Sequence, residues 1–545
     1  MKKKIRYFST LSFCFILSFH AYTQDEKPLR VEIEAKYNSD SYKIIPFGEK
    51  GVLLFYMSNE DERKQNPGIW YFTLYDTNFK ELWTQEKVVP SEMEYQNFDY
   101  NENNLYLFFE NTISSNSGGS IEILKIDIDS ANLKTFSTPV NVKASVTSFK
   151  VINDVVMLSG HTLPSRGTSC LQACFALTLI PGILSTTLYN YQPFLFIYNL
   201  NNGATKVVND TYKGHAYADD LSVDDKNETF NVTIKNHIPR KTNAMYIDEF
   251  NTDGTKISTL KLVTNDDKRK LNTCRIVALN ENEKILIGTY NNATKGNKAN
   301  PAFTGFSEGS SGIFFSKITH GEQEEIKFYN FSHFKNFYSY ISERRAIKIL
   351  KKAKRMELKG KELSYNYRLL VHDIIKKDSN YIMIAEAYYP EYHTVTYTSY
   401  DSYGRPYTTS YTVFDGYRYT NAIIACFDDK GELIWDNSFE IWNILTFNLK
   451  ERVKVMFDGD DILLTYSNEG NIASKIIRGN EVVEGKQYTE IQSTYANDRL
   501  ISDYNSDMEY WYGSYFISYG YQKIKNNKQD KSKRMVFYFN KIAFQ

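Results

Sequence analysis

The chain has 545 residues, with 65 Lys plus Arg against 65 Asp plus Glu, and 15% of it is aromatic. Balanced charge supplies no global field to attract nucleic acid, which excludes DNA or RNA binding of the electrostatic kind. Five cysteines in this length exclude a disulfide scaffold.

The first segment, MKKKIRYFSTLSFCFILSFHAYTQ, has a basic start at Lys2, Lys3, Lys4 and Arg6, then an apolar run, then small residues at Ala21 and Thr23. That layout predicts a secretory signal peptide over 1–23, cleaved just before Gln24. A lipid anchor at Cys14 would need a small residue where Phe13 stands. About 520 residues follow, far more than one ordinary domain needs. In an exported chain Cys170 and Cys174 could pair, whereas Cys274 in TCRIVAL and Cys426 in AIIACF sit in apolar runs and read as single buried thiols.

One unit then recurs: an apolar run, a loop, and a second apolar run that ends in an Asp/Asn/Gly turn and a polar strand. GVLLFYMS with GIWYFTLYDTNFKELW is the first, and NLYLFFEN with IEILKIDIDSANLKTF the second. VVMLSGHT with FLFIYNLNNGATKVV, ETFNVTIKN with AMYIDEFNTDGTKISTLKL, and KILIGTYNN with GIFFSKITHGEQEEIKF continue the series. YIMIAEAYY with AIIACFDDKGELIW, DILLTYSN with IASKIIRGNEVVEG, and SYFISYGYQKI with RMVFYFNKIAF complete it. Aromatic and β-branched runs bounded by TDGT, DDKG and NNGA turns predict antiparallel strands. A spacing of about fifty residues is that of a four-stranded propeller blade. The expectation is an all-β, seven- or eight-bladed β-propeller over 24–545, with RVEIEAKYN completing the last blade. Tandem β-sandwiches are the alternative.

Three insertions interrupt the period, at about 163–193, 339–362 and 390–418. The first is free of Asp, Glu, Lys, Arg and His from Gly167 to Thr205. Its densest apolar part, Ala173 to Leu188, would reach only about 24 Å as a helix, short of the roughly 30 Å hydrocarbon core, and Pro181-Gly182 breaks it. No transmembrane helix is expected in the mature chain. Phe175, Leu177, Leu179, Ile180, Pro181, Ile183 and Leu184 either add to the core or project as a docking patch for a partner or a membrane surface. Cys170 and Cys174, one helical turn apart, could stiffen its base as a disulfide.

The second insertion, SYISERRAIKILKKAKRMELKGKE, predicts a helix, with Ala346, Ile347, Leu350, Ala353 and Met356 on one face and Gly360 as its stop. The other face carries Arg344, Arg345, Lys348, Lys351, Lys352, Lys354 and Arg355, either as a solvated face or as a seat for an anionic partner. The third, YYPEYHTVTYTSYDSYGRPYTTSYTVFDGYRY, alternates Thr and Tyr about SYGRPY and predicts a projecting hairpin. Tyr397, Tyr400, Tyr403, Tyr407 and Tyr411 could contact a glycan or a protein, or simply stabilise the hairpin.

Catalytic motifs fail on context. Gly305-Phe306-Ser307-Glu308-Gly309 matches G-x-S-x-G, but no helix follows it. His161, His215, His237, His320, His333, His372 and His393 form no pair with metal-ligand spacing, and the Asp-rich LSVDDKNE and FDGDDI read as turns, so neither metal nor cofactor is expected. Carboxylates gathered from distant blades, as in a glycoside hydrolase, escape a reading by spacing.

YRLLVHDIIKKDSNYIMIAEAYYPEY with FDGYRYTNAIIACFDDKGELIWDNSFEI resembles an uncharacterised family of exported Bacteroidota β-propeller-like proteins, most strongly over 340–450. The resemblance implies a periplasmic or outer-membrane location in a diderm bacterium and carries no catalytic residues. No sorting domain is evident after the last strand, which suits retention in the envelope. Together these features predict a non-enzymatic scaffold or accessory subunit docking to an outer-membrane protein or the membrane surface. A glycan-binding propeller using the tyrosine hairpin is the alternative, and a glycoside hydrolase the third reading.

Overall fold

The apolar runs of the sequence become the middle strands of eight antiparallel sheets. The computed structural model describes residues 29–35, 41–57, 68–90, 92–101, 103–111, 119–163, 191–237, 244–265, 268–292, 309–363, 365–495, 497–526, 528 and 533–544. Blade 1 is Lys43–Pro46, Val52–Met57, Gly68–Tyr75 and Glu81–Val89, and blade 2 is Glu94–Tyr100, Asn104–Asn111, Gly119–Asp127 and Asn132–Val140. Blade 3 is Ala144–Ile152, Val155–Thr162, Pro193–Asn199 and Thr205–Val208; blade 4 is His215–Asp224, Thr229–His237, Ala244–Asn251 and Lys256–Leu262. Blade 5 is Arg269–Asn280, Glu283–Asn292, Gly312–Thr319 and Glu322–Gln323, with Lys327–Asn330 also paired to its third strand. Blade 6 starts with a split strand, Arg368–Val371 and Ile375–Lys377, followed by Asn380–Tyr400, Pro406–Phe427 and Leu433–Glu440. Blade 7 is Lys454–Asp458, Asp461–Asn468, Asn471–Arg478 and Glu481–Glu490. Blade 8 is Arg499–Tyr512, Tyr515–Lys525 and Lys533–Ala543, and its outermost strand is Arg30–Glu34, from the other end of the chain.

Why the second strands are apolar throughout follows from their two-sided burial. In blade 2, Leu105, Leu107 and Phe109 enter the core shared with blade 1, while Tyr106 and Phe108 enter the core shared with blade 3. Strand periodicity sends alternate residues to opposite faces, and here both faces meet a neighbouring blade. Eight clusters of this kind join successive sheets, and the last of them packs Val52 and Leu54 of blade 1 against Ile517, Phe537 and Phe539 of blade 8. The ring is therefore closed: the chain is a β-propeller of eight blades, and tandem sandwiches are ruled out. Each large side chain in these cores contributes about 1.5–3 kcal/mol by burial.

The strand RVEIE closes the ring as expected, pairing antiparallel from Arg30↔Asn540 to Glu34↔Val536. Its side chains reinforce the join. Arg30 lies 4.3 Å over the Tyr538 ring and donates to Glu32 at 2.8 Å, Gln522 Oε1 at 2.8 Å and Asn540 Oδ1 at 3.0 Å. The latch ties the two ends of the chain into one sheet.

The first strand of each blade is different. It faces the axis of the ring, and in blades 2 to 5 it is bulged at Gln96, Thr147, Asp219 and Asn272, with a second bulge at Leu279 in blade 5 and three register shifts in blade 8. A bulge bends the strand and re-aims a side chain. Gly160 and Gly288 sit opposite two of them because a Cβ at either would come within 1.9 Å of a carbonyl oxygen, that of Ser145 or Thr273.

Of the insertions, the helix is Glu343–Glu357, and Gly360 just beyond it adopts φ +64° and ends it as expected. Its packed face is Ala346, Ile349, Ala353 and Met356, against the core between blades 5 and 6. Ile347 and Leu350, expected on that face, are 42% and 41% exposed; Ile349 takes the inward position, rotating the stripe by one residue. The tyrosine segment is a hairpin continuing the two middle strands of blade 6, with Tyr397 opposite Thr409 and Tyr400 opposite Pro406. Asp401 closes its tip by accepting from the backbone N–H groups of Tyr403 and Arg405. The uncharged insertion, the signal segment, Cys170 and Cys174, and Gly305 to Glu308 lie outside the described residues. Cys274 and Cys426 are buried free thiols, as expected.

Candidate functional site

The innermost strands of blades 1, 2, 6, 7 and 8 surround a cavity of about 1340 Å³ on the ring axis. Ionisable side chains converge there from segments far apart in sequence. Lys43 comes from blade 1, His372 and Asp373 from the break in blade 6, Lys450, Glu451, Arg452 and Lys454 from the entry to blade 7, and Asp507 and Glu509 from blade 8. Two of these runs alternate, Lys450-Arg452-Lys454 and Asp507-Glu509, so in extended chain each set shares one face.

The blade 7 entry is anchored on both sides. Tyr419 donates its hydroxyl to the Lys450 carbonyl at 2.7 Å and accepts from the Lys450 N–H at 3.0 Å. Glu386, fully buried on the second strand of blade 6, accepts at Oε1 from the backbone N–H groups of Arg452 and Val453, both at 2.8 Å. The same oxygen meets His372 Nε2 at 2.8 Å. An oxygen already accepting two N–H groups acts here as an acceptor, so Nε2 carries the hydrogen and the neutral ring keeps its lone pair on Nδ1. Glu451 Oε2 lies 3.8 Å from that Nδ1. Burial works against the imidazolium, but the hydrogen bond and charge of Glu386 outweigh it and raise the pKa of His372 above its ordinary value.

Across the cavity Asp507 is 2% exposed and pairs with Lys450 and, at 3.5 Å, with Arg452. Burial opposes its charge, but Lys450, Arg452 and Lys454 prevail and hold its pKa down to about 2. Glu509, two residues on, meets Lys454 Nζ at 2.8 Å, and burial pushes its pKa up despite that partner. Two carboxylates on one strand are thus driven in opposite directions, the pattern that separates an acid from a permanent anion. Behind the cavity, Arg275 pairs with Asp220 beside the blade 4 bulge and donates from Nη2 to the Val371 carbonyl at 2.8 Å, next to His372.

The residues singled out from sequence lie elsewhere. Arg344, Arg345, Lys348, Lys351, Lys352, Lys354 and Arg355 are all solvent-exposed on the helix. Tyr397, Tyr400, Tyr403, Tyr407 and Tyr411 are exposed on the hairpin, with Tyr397 and Tyr411 in an edge-to-face contact at 6.1 Å. The hairpin reaches the site at its base, where Tyr417 and Arg418 pair with Thr446 and Leu445 ahead of Lys450. Phe175, Leu177, Leu179, Ile180, Pro181, Ile183 and Leu184 fall outside the described residues. Asp224 caps its own turn, as read from LSVDDKNE, by accepting from the N–H groups of Lys226 and Asn227. Among the described residues no group of three or more His, Cys, Asp or Glu is placed to hold a metal, and no helix is long and apolar enough to cross a membrane.

The sequence matches no protein-family model and no curated protein. Solved structures with a similar fold include the β-propeller domain of the trilobed protease of Pyrococcus furiosus, at 6% identity and a TM-score of 0.32, covering 82% of this chain and 93% of that one. The polysaccharide lyase Uly1 is similar at 7% identity and a TM-score of 0.37, over 82% and 89% of the two chains. A prolyl endopeptidase is similar at 10% identity and a TM-score of 0.35, over 90% of this chain and 54% of its own. At this identity the likeness shows the fold alone. The expectation of a non-enzymatic scaffold docking to an envelope protein or membrane is withdrawn: the similar structures are a protease domain, a polysaccharide lyase and a prolyl endopeptidase.

Proposed function

We propose that the protein is an enzyme whose active site is the axial cavity, working by general acid–base catalysis on a polar substrate held between blades 1, 6, 7 and 8. The observation that carries this reading is the His372–Glu386 pair: a buried carboxylate fixes the ring tautomer and leaves Nδ1 as the basic nitrogen of a side chain lining the cavity. His372 is the base. Glu509, its pKa raised by burial, is the group placed to return a proton, while Asp507 stays ionised and holds Lys450 and Arg452 in position.

Because the neutral imidazole is the active form and its pKa is raised, turnover rises with pH through a value above the ordinary 6.5 of histidine. The test is a panel of ester, peptide and glycan substrates offered to the wild type and to His372→Gln. Loss of about 10²–10⁴-fold in kcat, with the alkaline rise abolished, is the expected result. Turnover by His372→Gln equal to that of the wild type, or no turnover by the wild type on any class, overturns the reading.

A further inference from the structure

The cavity wall is unevenly charged. Glu451 and Asp373 face His372 and Arg275, at 3.8 and 4.0 Å. On the side formed by blades 1, 7 and 8, four cations (Lys43, Lys450, Arg452 and Lys454) meet two carboxylates, Asp507 and Glu509. Three of the cations are engaged with those carboxylates. Lys43 is left over: among the described residues it has no carboxylate partner, and its ammonium rests 5.8 Å from the Tyr95 ring. Lys450 meets Asp507, yet its side chain remains 47% exposed to the cavity.

We propose that Lys43 and Lys450 form an anion-binding subsite that seats a carboxylate, sulfate or phosphate group of the substrate beside the acid–base pair. This rests on the reading of the cavity as an active site and adds the substrate's class to it. Two ammonium groups facing one cavity, of which only Lys450 meets a carboxylate among the described residues, repel each other, and an anion placed between them relieves that repulsion. Burial and the nearby Lys450 charge accordingly lower the pKa of Lys43. Tyr95, whose ring lies 5.8 Å from the Lys43 ammonium, and Tyr510, 42% exposed, line the same cavity, so an anionic sugar fits the surroundings better than a bare inorganic ion.

The test measures binding without turnover, by calorimetry on the full chain with inorganic phosphate, inorganic sulfate, a uronic-acid oligomer and its neutral sugar counterpart. The expected result is binding of the uronic-acid oligomer at least 10-fold tighter than its neutral counterpart, weakened about 10-fold or more by Lys43→Met and relaxed by added salt. Binding of phosphate or sulfate with no preference for the oligomer would keep the anion subsite and assign it to a free or esterified inorganic anion. Equal binding of charged and neutral oligomers with no binding of phosphate or sulfate, or unchanged affinity in Lys43→Met, overturns the proposal. A second measurement guards against a misfolded variant: in the wild type, NMR titration of the Lys43 ammonium should move to higher pH when the anion is added, and an unmoved titration also overturns it. None of these readouts depends on His372, so a failed subsite and a failed acid–base reading remain distinguishable.

Discussion

The second strands of the blades and the first strands of the same blades are made of the same backbone and do opposite work. In blade 2, Leu105 to Phe109 are all buried, and alternate residues fill the cores on either side. One strand earlier, Glu94–Tyr100 is bulged at Gln96 and turns polar and aromatic side chains to the axis. The second strands hold the ring together, and the first strands spend regularity to aim side chains into one cavity. That separation lets charge gather on the axis without disturbing the cores between blades.

The comparison breaks most sharply in a core. Phe108 is 1% exposed and stacks on Phe149 at 5.4 Å across the join of blades 2 and 3. Phe108→Ala leaves a cavity that two rigid sheets cannot collapse, and should cost about 3–5 kcal/mol, read from the urea midpoint at unchanged slope.

The axial network should respond to acid, where the cores do not. Asp507 has its pKa lowered in the folded chain to about 2, from roughly 3.9 when unfolded, so its contribution is present above the unfolded value and is lost as pH falls through the folded one. A shift of that size corresponds to about 2–3 kcal/mol at neutral pH. Asp507→Asn strips the charge from the carboxylate that pairs with both Lys450 and Arg452, and its destabilisation relative to the wild type should be full at pH 6 and shrink from about pH 4 to about pH 2. A deficit that stays constant over that window would show that the carboxylate acts by shape rather than charge.

The same contrast explains what could be read from sequence. Two-sided burial writes a continuous apolar run such as NLYLFFEN or DILLTYSN, which is visible without a partner, and the turns between runs announce the hairpins. The propeller ring, its latch at Arg30–Glu34, the helix with Gly360 at its end and the tyrosine hairpin all follow from such local signals, while the choice of eight blades over seven does not. The first strands give no such signal. Their bulges break the alternation, and their charges are paired with residues of the next blade, as Lys454 is with Glu509. His372 meets Glu386 across a strand gap of fourteen residues, and neither side chain is unusual where it stands in the chain. LKERVKVMF and SDMEYW did carry one clue, charges at every second residue where a blade strand should begin. A charged period-2 run at that position in the repeat marks the axis of a ring.

The smallest effect belongs to the part of blade 6 that leaves both regions. Beyond Tyr392 the hairpin is exposed on both faces; Tyr400 is 70% and Tyr403 82% exposed. Its tip is held by Asp401, which accepts from the backbone N–H groups of Tyr403 and Arg405, and the exposed Tyr403 ring adds a solvent-facing contact 5.7 Å from the Arg405 guanidinium. Tyr403→Ala should therefore change stability by no more than about 0.5 kcal/mol. Asp401→Ala, which removes the cap on the turn, should loosen the tip and speed amide exchange from Tyr400 to Tyr407, with no change in the cores. A fall in global stability from Tyr403→Ala would show that the hairpin packs on the ring through its tip.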